Sequence, residues 1–158
     1  MNKPTKTARQ LLDAKRSAHA GVISVAPSDT VLSALKLMRE KNIGAVVVLD
    51  GGKLKGILTE RDYARKVEIE GRTAHECLVH QIMTDRAVVY AAPDDSVELC
   101  RTLMMQHRIR HLPVYENGAV LGVLSIRDVL EEIIAEDREA IRELETDRLL
   151  MTTDTGAY

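Results

Sequence analysis

Two short stretches of the chain carry the same chemistry. Gly56-Ile57-Leu58-Thr59-Glu60-Arg61-Asp62 and Gly122-Val123-Leu124-Ser125-Ile126-Arg127-Asp128 both read glycine, two apolar residues, a hydroxyl, two variable residues and an aspartate. A hydroxyl followed three residues later by a carboxylate is the pattern of a capping box, a common way to start a helix. The same arrangement suits a ligand. Free N–H groups and the positive dipole end at a helix start attract phosphate. The hydroxyl can donate to a phosphate or ribose oxygen, and an ionised aspartate accepts from both hydroxyls of a ribose. The glycine lets another group approach the backbone closely. Arg61, Arg65 and Lys66 cluster around the first stretch, whereas Arg127 is alone beside the second. The first site is therefore expected to attract anions more strongly.

The surrounding residues repeat at the same offset of 66. Pro27 falls on Pro93, Asp29 on Asp95, Val31 on Val97, Leu37-Met38 on Leu103-Met104, Ile43 on Ile109, Val48 on Val114 and Gly52 on Gly118, without a gap. The chain is a tandem duplication. Within the first copy, residues 22–25 read as a short strand, and Pro27-Ser28-Asp29 as a turn and helix N-cap. Val31, Ala34, Leu35 and Met38 form one apolar stripe of a helix. Ala45 to Leu49, the turn Asp50-Gly51-Gly52, and Leu54 to Leu58 read as a hairpin, and a second helix opens at Thr59. The second copy runs through Val88 to Tyr90, a helix over 97–107, Leu112 to Tyr115, the turn Asn117-Gly118, Val120 to Leu124, and a helix from Ser125. Each strand-helix-strand-strand-helix unit leaves one sheet face uncovered. The units should pack face to face. Ahead of them, Thr7-Ala8-Arg9-Gln10 has the form of a capping box for a flanking helix. From Leu130 the chain reads as a charged amphipathic helix, with a frayed end over 152–158.

Composition narrows the function. The 158 residues are 45% hydrophobic and 29% charged with a net charge of −2, enough chain for a sizeable core and no global attraction to polyanions. With no Trp, no Phe and four Tyr, base stacking is poorly served, and nucleic acid is not an expected partner. The polar start, Met1 to Thr7, lacks the apolar core of an export signal, and no apolar run approaches the ~20 residues that span a bilayer. A cytoplasmic location without membrane association is expected. Cys77 and Cys100 have no partner spacing for zinc or a disulfide framework, and Cys100 sits at an apolar helical position, a core residue. His107 and His111 straddle a helix-to-strand break, so no metal site is expected. Neither aspartate is paired in its motif with a carboxylate, histidine or metal ligand to form an acid-base couple, so no catalytic residue is assigned and an enzyme is not expected.

The duplicated unit resembles a pair of cystathionine β-synthase (CBS) domains, a Bateman module of the stand-alone, bacterial signal-transduction type. The residues that carry the resemblance are both Gly-x-x-Thr/Ser-x-x-Asp motifs together with Ile43 to Asp50, Thr59 to Lys66, Gln81-Ile82-Met83-Thr84 and Arg110 to Val114. It spans roughly 22–130. The division is then 1–21 as a helical extension, 22–80 and 81–130 as the repeats, and 131–158 as charged helix and tail. The implied fold is α+β, two pseudo-symmetric β-α-β-β-α repeats packed sheet to sheet with flanking helices. Also implied are adenosine-containing ligands, AMP, ATP, NAD(H) or S-adenosylmethionine, in clefts between the repeats. Mg²⁺ is implied only with ATP. A homodimeric disc and an unidentified regulated protein complete the implied partners.

Carried over by position, Thr59 and Asp62 hold phosphate and ribose in one cleft, and Ser125 and Asp128 in the other. Val22, Ile23, Val88, Val89, Gly44, Ala45, Arg110 and His111 correspond to positions that sandwich adenine and reach phosphates. Arg110 stands opposite Gly44, so the sites are chemically unequal. Arg61, Arg65, Lys66 and Arg127 are the candidate phosphate cations. The alternative function is a ligand-free scaffold or dimerisation module, which would need neither hydroxyl–aspartate pair.

Overall fold

The computed structural model describes residues 5–16 and 21–153. The polar residues before Thr5 and the tail from 154 lie outside the described residues. Thr7 caps the first helix, α1 (Ala8–Arg16), as its pattern predicts. Its N–H donates to Gln10 Oε1 at 2.9 Å and its Oγ1 accepts from the Gln10 N–H at 3.3 Å. The first repeat follows as β1 (Ser24–Val25), α2 (Val31–Lys41), β2 (Ala45–Asp50), β3 (Lys53–Thr59) and the single turn α3 (Glu60–Tyr63), which widens into a π-turn over Ala64–Glu68. The second comprises α4 (Val97–His107), β4 (His111–Glu116), β5 (Ala119–Ser125) and α5 (Ile126–Thr153).

Both hairpins close as expected. Gly51 and Gly52 have φ of 55° and 78°, and Asn117 and Gly118 have 49° and 84°, the doubly left-handed turn that glycine and asparagine tolerate best. The strands pair antiparallel with one register irregularity each, between Val48 and Leu49 and between Val114 and Tyr115, at equivalent positions. Sheet one has the order β1-β2-β3 with β1 parallel to β2, sheet two consists of β4 and β5, and β3 touches β5 where the repeats meet.

Four local expectations are corrected. The strand over 22–25 reduces to Ser24–Val25. At Val88 to Tyr90 there is no strand; a single parallel bridge joins Ala91 to Val114 instead. The N-caps of α2 and α4 are Thr30 and Ser96, whose hydroxyls accept from the N–H groups of Ser33 and Leu99. Asp29 and Asp95 close the preceding turns by accepting from Ala26 and Ala92, each at 2.8 Å, so a side chain near a helix start can serve the turn before it. Finally, the second repeat's last helix and the charged C-terminal helix are one element, which runs through Thr152 and Thr153 where fraying is expected.

The core falls into two apolar clusters. One gathers Val31, Ala34, Met38, Val46, Val48 and Leu58 with Val67, Cys77, Val79 and Ile82. The other gathers Val97, Cys100, Met104, Leu112, Val114 and Leu124 with Ala8, Leu11 and Leu12 of α1. Helix α1 therefore covers the second repeat's sheet, and the segment from Val67 to Ile82, after the first hairpin, covers the first. The two glycines of the motifs make this possible. A Cβ on Gly56 would lie 2.6 Å from the Thr84 carbonyl, and one on Gly122 would lie 2.8 Å from a methyl of Leu12. The close approach that these glycines permit is made by the chain itself.

Candidate functional site

Both motifs form the capping arrangement predicted from sequence. Asp62 Oδ2 accepts from the Thr59 N–H at 2.9 Å and from its hydroxyl at 2.8 Å, while Thr59 Oγ1 accepts from the Asp62 N–H at 3.2 Å. Asp128 Oδ2 accepts from the Ser125 N–H at 2.7 Å and Ser125 Oγ accepts from the Asp128 N–H at 3.2 Å. Each helix start is tied to the strand start of its own repeat, Glu60 N–H to the Gly44 carbonyl at 3.1 Å and Ile126 N–H to the Arg110 carbonyl at 2.8 Å. These bonds bring Gly44, Ala45, Arg110 and His111 beside the motifs.

The predicted residues divide between two clefts along the repeat boundary. The larger, about 600 Å³, joins Val22, Ile23, Gly44 and Ala45 of the first repeat to Ser125, Arg127 and Asp128 of the second. The smaller, about 310 Å³, joins Val88 and Val89, from the start of the second repeat, to Thr59, Arg61 and Asp62 of the first. Gly44, Glu60, Arg110 and His111 line both and form a common wall. Arg65 and Lys66 line neither.

The charge distribution departs from the sequence expectation. Lys66 is not spare charge for a ligand, because its Nζ lies 2.7 Å from Asp62 Oδ1 and donates to the Ile82 carbonyl at 2.7 Å. Arg61 spends one N–H on the Arg108 carbonyl, across the repeat boundary. Both oxygens of Asp62 are thus engaged within the chain. At Asp128 the contacts converge on Oδ2, which also takes Lys15 Nζ at 2.8 Å, and Oδ1 carries no hydrogen bond among the described residues. Lys15, Lys41, Arg110 and Arg127 face Glu60 and Asp128 around the larger cleft, whereas Arg61 and Arg110 face Glu60 and Asp62 around the smaller. More cations line the Ser125–Asp128 cleft, although Lys41 and Arg127 are ion-paired with Glu40 and Glu131 outside it.

Two ionisable groups here are shifted. Burial by itself would raise the Asp128 carboxyl, but the Lys15 ammonium and the Ser125 N–H and hydroxyl together bring it below the ordinary aspartate value. His111 is lowered, first by burial and then by Lys15, with Asp128 pulling the other way and Arg110 and Arg61 adding to the depression. At neutral pH it is a neutral imidazole set among cations.

Sequence reasoning missed Lys15, Lys41 and Glu60. Glu60 sits at a variable position of the motif beside Thr59, where only its adjacency hints at the cleft. Lys15 reaches Asp128 across 113 residues, because α1 packs on the second repeat. No spacing in the sequence signals that. Among the described residues no group of three or more His, Cys, Asp or Glu could hold a metal ion, and no helix is long and apolar enough to cross a membrane.

Comparison with known proteins gives a consistent picture. The family model of the CBS domain matches twice, over residues 18–69 and 79–135. The chain is 37% identical over 133 residues to the mitochondrial CBS domain-containing protein CBSX3 of Arabidopsis thaliana, covering 82% of this chain and 65% of that protein. It is 35% identical over 108 residues to the CBS domain-containing protein YhcV of Bacillus subtilis, 68% of this chain and 76% of that protein. A protein with CBS domains from Burkholderia ambifaria superposes with a TM-score of 0.77 at 44% identity, over 82% of this chain and 95% of that one. A CBS domain protein from Pyrobaculum aerophilum complexed with AMP shares the fold, at 21% identity and a TM-score of 0.69, over 82% of this chain and 99% of that one.

Proposed function

The chain belongs to the CBS-domain family, and we propose that it is a non-catalytic regulatory module whose clefts bind adenosine-containing nucleotides of the AMP, ATP or NAD(H) class. One observation carries the reading: each cleft combines an apolar segment from one repeat with a hydroxyl–aspartate helix start from the other, beside the shared Arg110. Val22 and Ile23 suit an adenine face, Asp128 Oδ1 suits ribose hydroxyls, and Ser125, Arg110 and Arg127 suit phosphate. Val88 and Val89, Asp62, and Thr59 with Arg61 and Arg110 take the same parts in the smaller cleft. Both volumes fall in the range of about 300–1,000 Å³ that small-molecule sites occupy. The AMP bound by the Pyrobaculum protein is an example of this ligand class in the same fold.

The larger cleft is the primary site. It is lined by more cations, and its aspartate keeps an oxygen for the sugar. Arg110 borders both clefts, so two phosphorylated ligands compete for one guanidinium, and the second binds more weakly. Mg²⁺ would enter only on the phosphates of ATP. Because each ligand touches both repeats, its binding energy favours one relative placement of the repeats over another, which is the only way a non-catalytic module can pass on a signal. The regulated protein, a homodimeric assembly and a cytoplasmic setting belong to the same proposal.

Thermal denaturation with AMP, ADP, ATP, NAD, NADH and S-adenosylmethionine tests it. A ligand at about 100 times its Kd stabilises by roughly 2.7 kcal/mol, and for a chain of this size each kcal/mol raises Tm by about 2–4 °C. A rise of several degrees with one or two of these ligands is expected. A flat panel would overturn the nucleotide reading and favour the scaffold.

A further inference from the structure

Helix α5 outruns the module that it completes. Up to Glu136 it is anchored: Val129 is fully buried, Ile133 packs against the second core cluster, and Lys6 holds Glu132 through its ammonium and Glu136 through its backbone N–H. From Asp137 to Met151 every residue is exposed. Along that stretch one stripe recurs at alternating spacings of three and four residues, Ile134, Asp137, Ile141, Leu144, Arg148 and Met151. That is the spacing of a coiled-coil seam. Ile134, Ile141, Leu144 and Met151 are 50%, 54%, 69% and 74% exposed, a cost that a lone helix does not recover. From Glu136 onward the helix also lies beyond the residues matched by the CBS family model.

The two charges in the seam identify the occupant. Read forwards the stripe is apolar, acidic, apolar, apolar, basic, apolar, and read backwards it is the same with the charges exchanged. Set antiparallel against a second copy, Ile134 meets Met151, Ile141 meets Leu144, and Asp137 meets Arg148, each pair occurring twice about a two-fold axis between residues 142 and 143. Flanking the seam, Arg138 comes beside Glu145 of the second copy. A parallel, in-register pair would instead set Asp137 against Asp137 and Arg148 against Arg148 in the seam, a like-charge arrangement that is strongly disfavoured. Within one chain the two residues are eleven apart, about 16 Å along the helix, so they cannot pair with each other. We propose that residues 134–151 of α5 form an antiparallel two-helix contact with the same segment of a second copy of this chain, with Asp137 and Arg148 fixing direction and register. It stands whether or not the clefts bind nucleotide.

Charge reversal on the full chain without nucleotide tests this by sedimentation equilibrium. Asp137→Arg and Arg148→Asp each place like charges opposite one another twice per dimer, and each should weaken self-association by about tenfold or more. The double variant Asp137→Arg/Arg148→Asp restores opposite pairs and should return to within about threefold of wild type. Singles equal to wild type, a double as weak as the singles, or a wild-type chain that stays monomeric would each overturn the proposal.

Discussion

Asp128 and Asp62 have the same neighbours in sequence and different chemistry in space. The capping box of each was legible from the hydroxyl and carboxylate three residues apart, because that geometry is local. What separates them was not legible: Lys66 takes the second oxygen of Asp62, while Lys15 arrives from α1 and shares Oδ2 of Asp128 with the Ser125 amide. A basic residue one turn after an aspartate can serve a ligand or neutralise the aspartate itself, and here it does the latter. His111, in the wall between the clefts, gives a pH prediction. Its folded pKa is depressed, so the unfolded chain takes up the proton first as pH falls, and stability declines below the ordinary histidine value of about 6.5. The Asp128 shift acts lower, removing stability only as pH falls below the ordinary aspartate range. Between pH 7.5 and 5.5, Tm of wild type should fall while that of His111→Asn stays more nearly level; equal slopes in the two would refute the assignment.

Secondary elements were legible wherever both their residues and their partners lay close in sequence. The hairpins, α2, α4 and the Thr7 cap follow from periodicity and turn chemistry. Val88 to Tyr90 has strand-like residues but only Ala91 finds a pairing partner, since an extended segment becomes a strand only where another edge receives it. The motif glycines give a contrast of the same kind. At Gly56 an added methyl would meet the backbone oxygen of Thr84, which accepts from the Ile57 N–H at 3.0 Å and cannot retreat without breaking the bridge. At Gly122 it would meet Leu12, whose side chain can turn aside. Gly56→Ala should cost about 2–3 kcal/mol and Gly122→Ala about 1 kcal/mol or less, read from urea midpoints at unchanged slope.

At the scale of the whole molecule the duplication was fully legible, because two copies of one core pattern need no tertiary information to be seen. The crossing of elements between repeats was not. Helix α1 precedes the first repeat but completes the core of the second, and with it Lys15 enters the larger cleft. A site made from both repeats is one whose occupant can act on their relative placement, so the central claim is that a nucleotide sits across this boundary with Asp128 on its ribose. Calorimetric titration of AMP, ATP and NADH into wild type, Asp128→Asn and Asp62→Asn tests it directly; asparagine keeps the acceptor needed by the cap and removes the charge. Saturable binding of at least one of these ligands is predicted, weakened about tenfold or more by Asp128→Asn, the roughly 1.4 kcal/mol expected for losing a charged hydrogen-bond acceptor, and weakened less by Asp62→Asn. Binding by none of the three, or an affinity indifferent to Asp128→Asn, would contradict it.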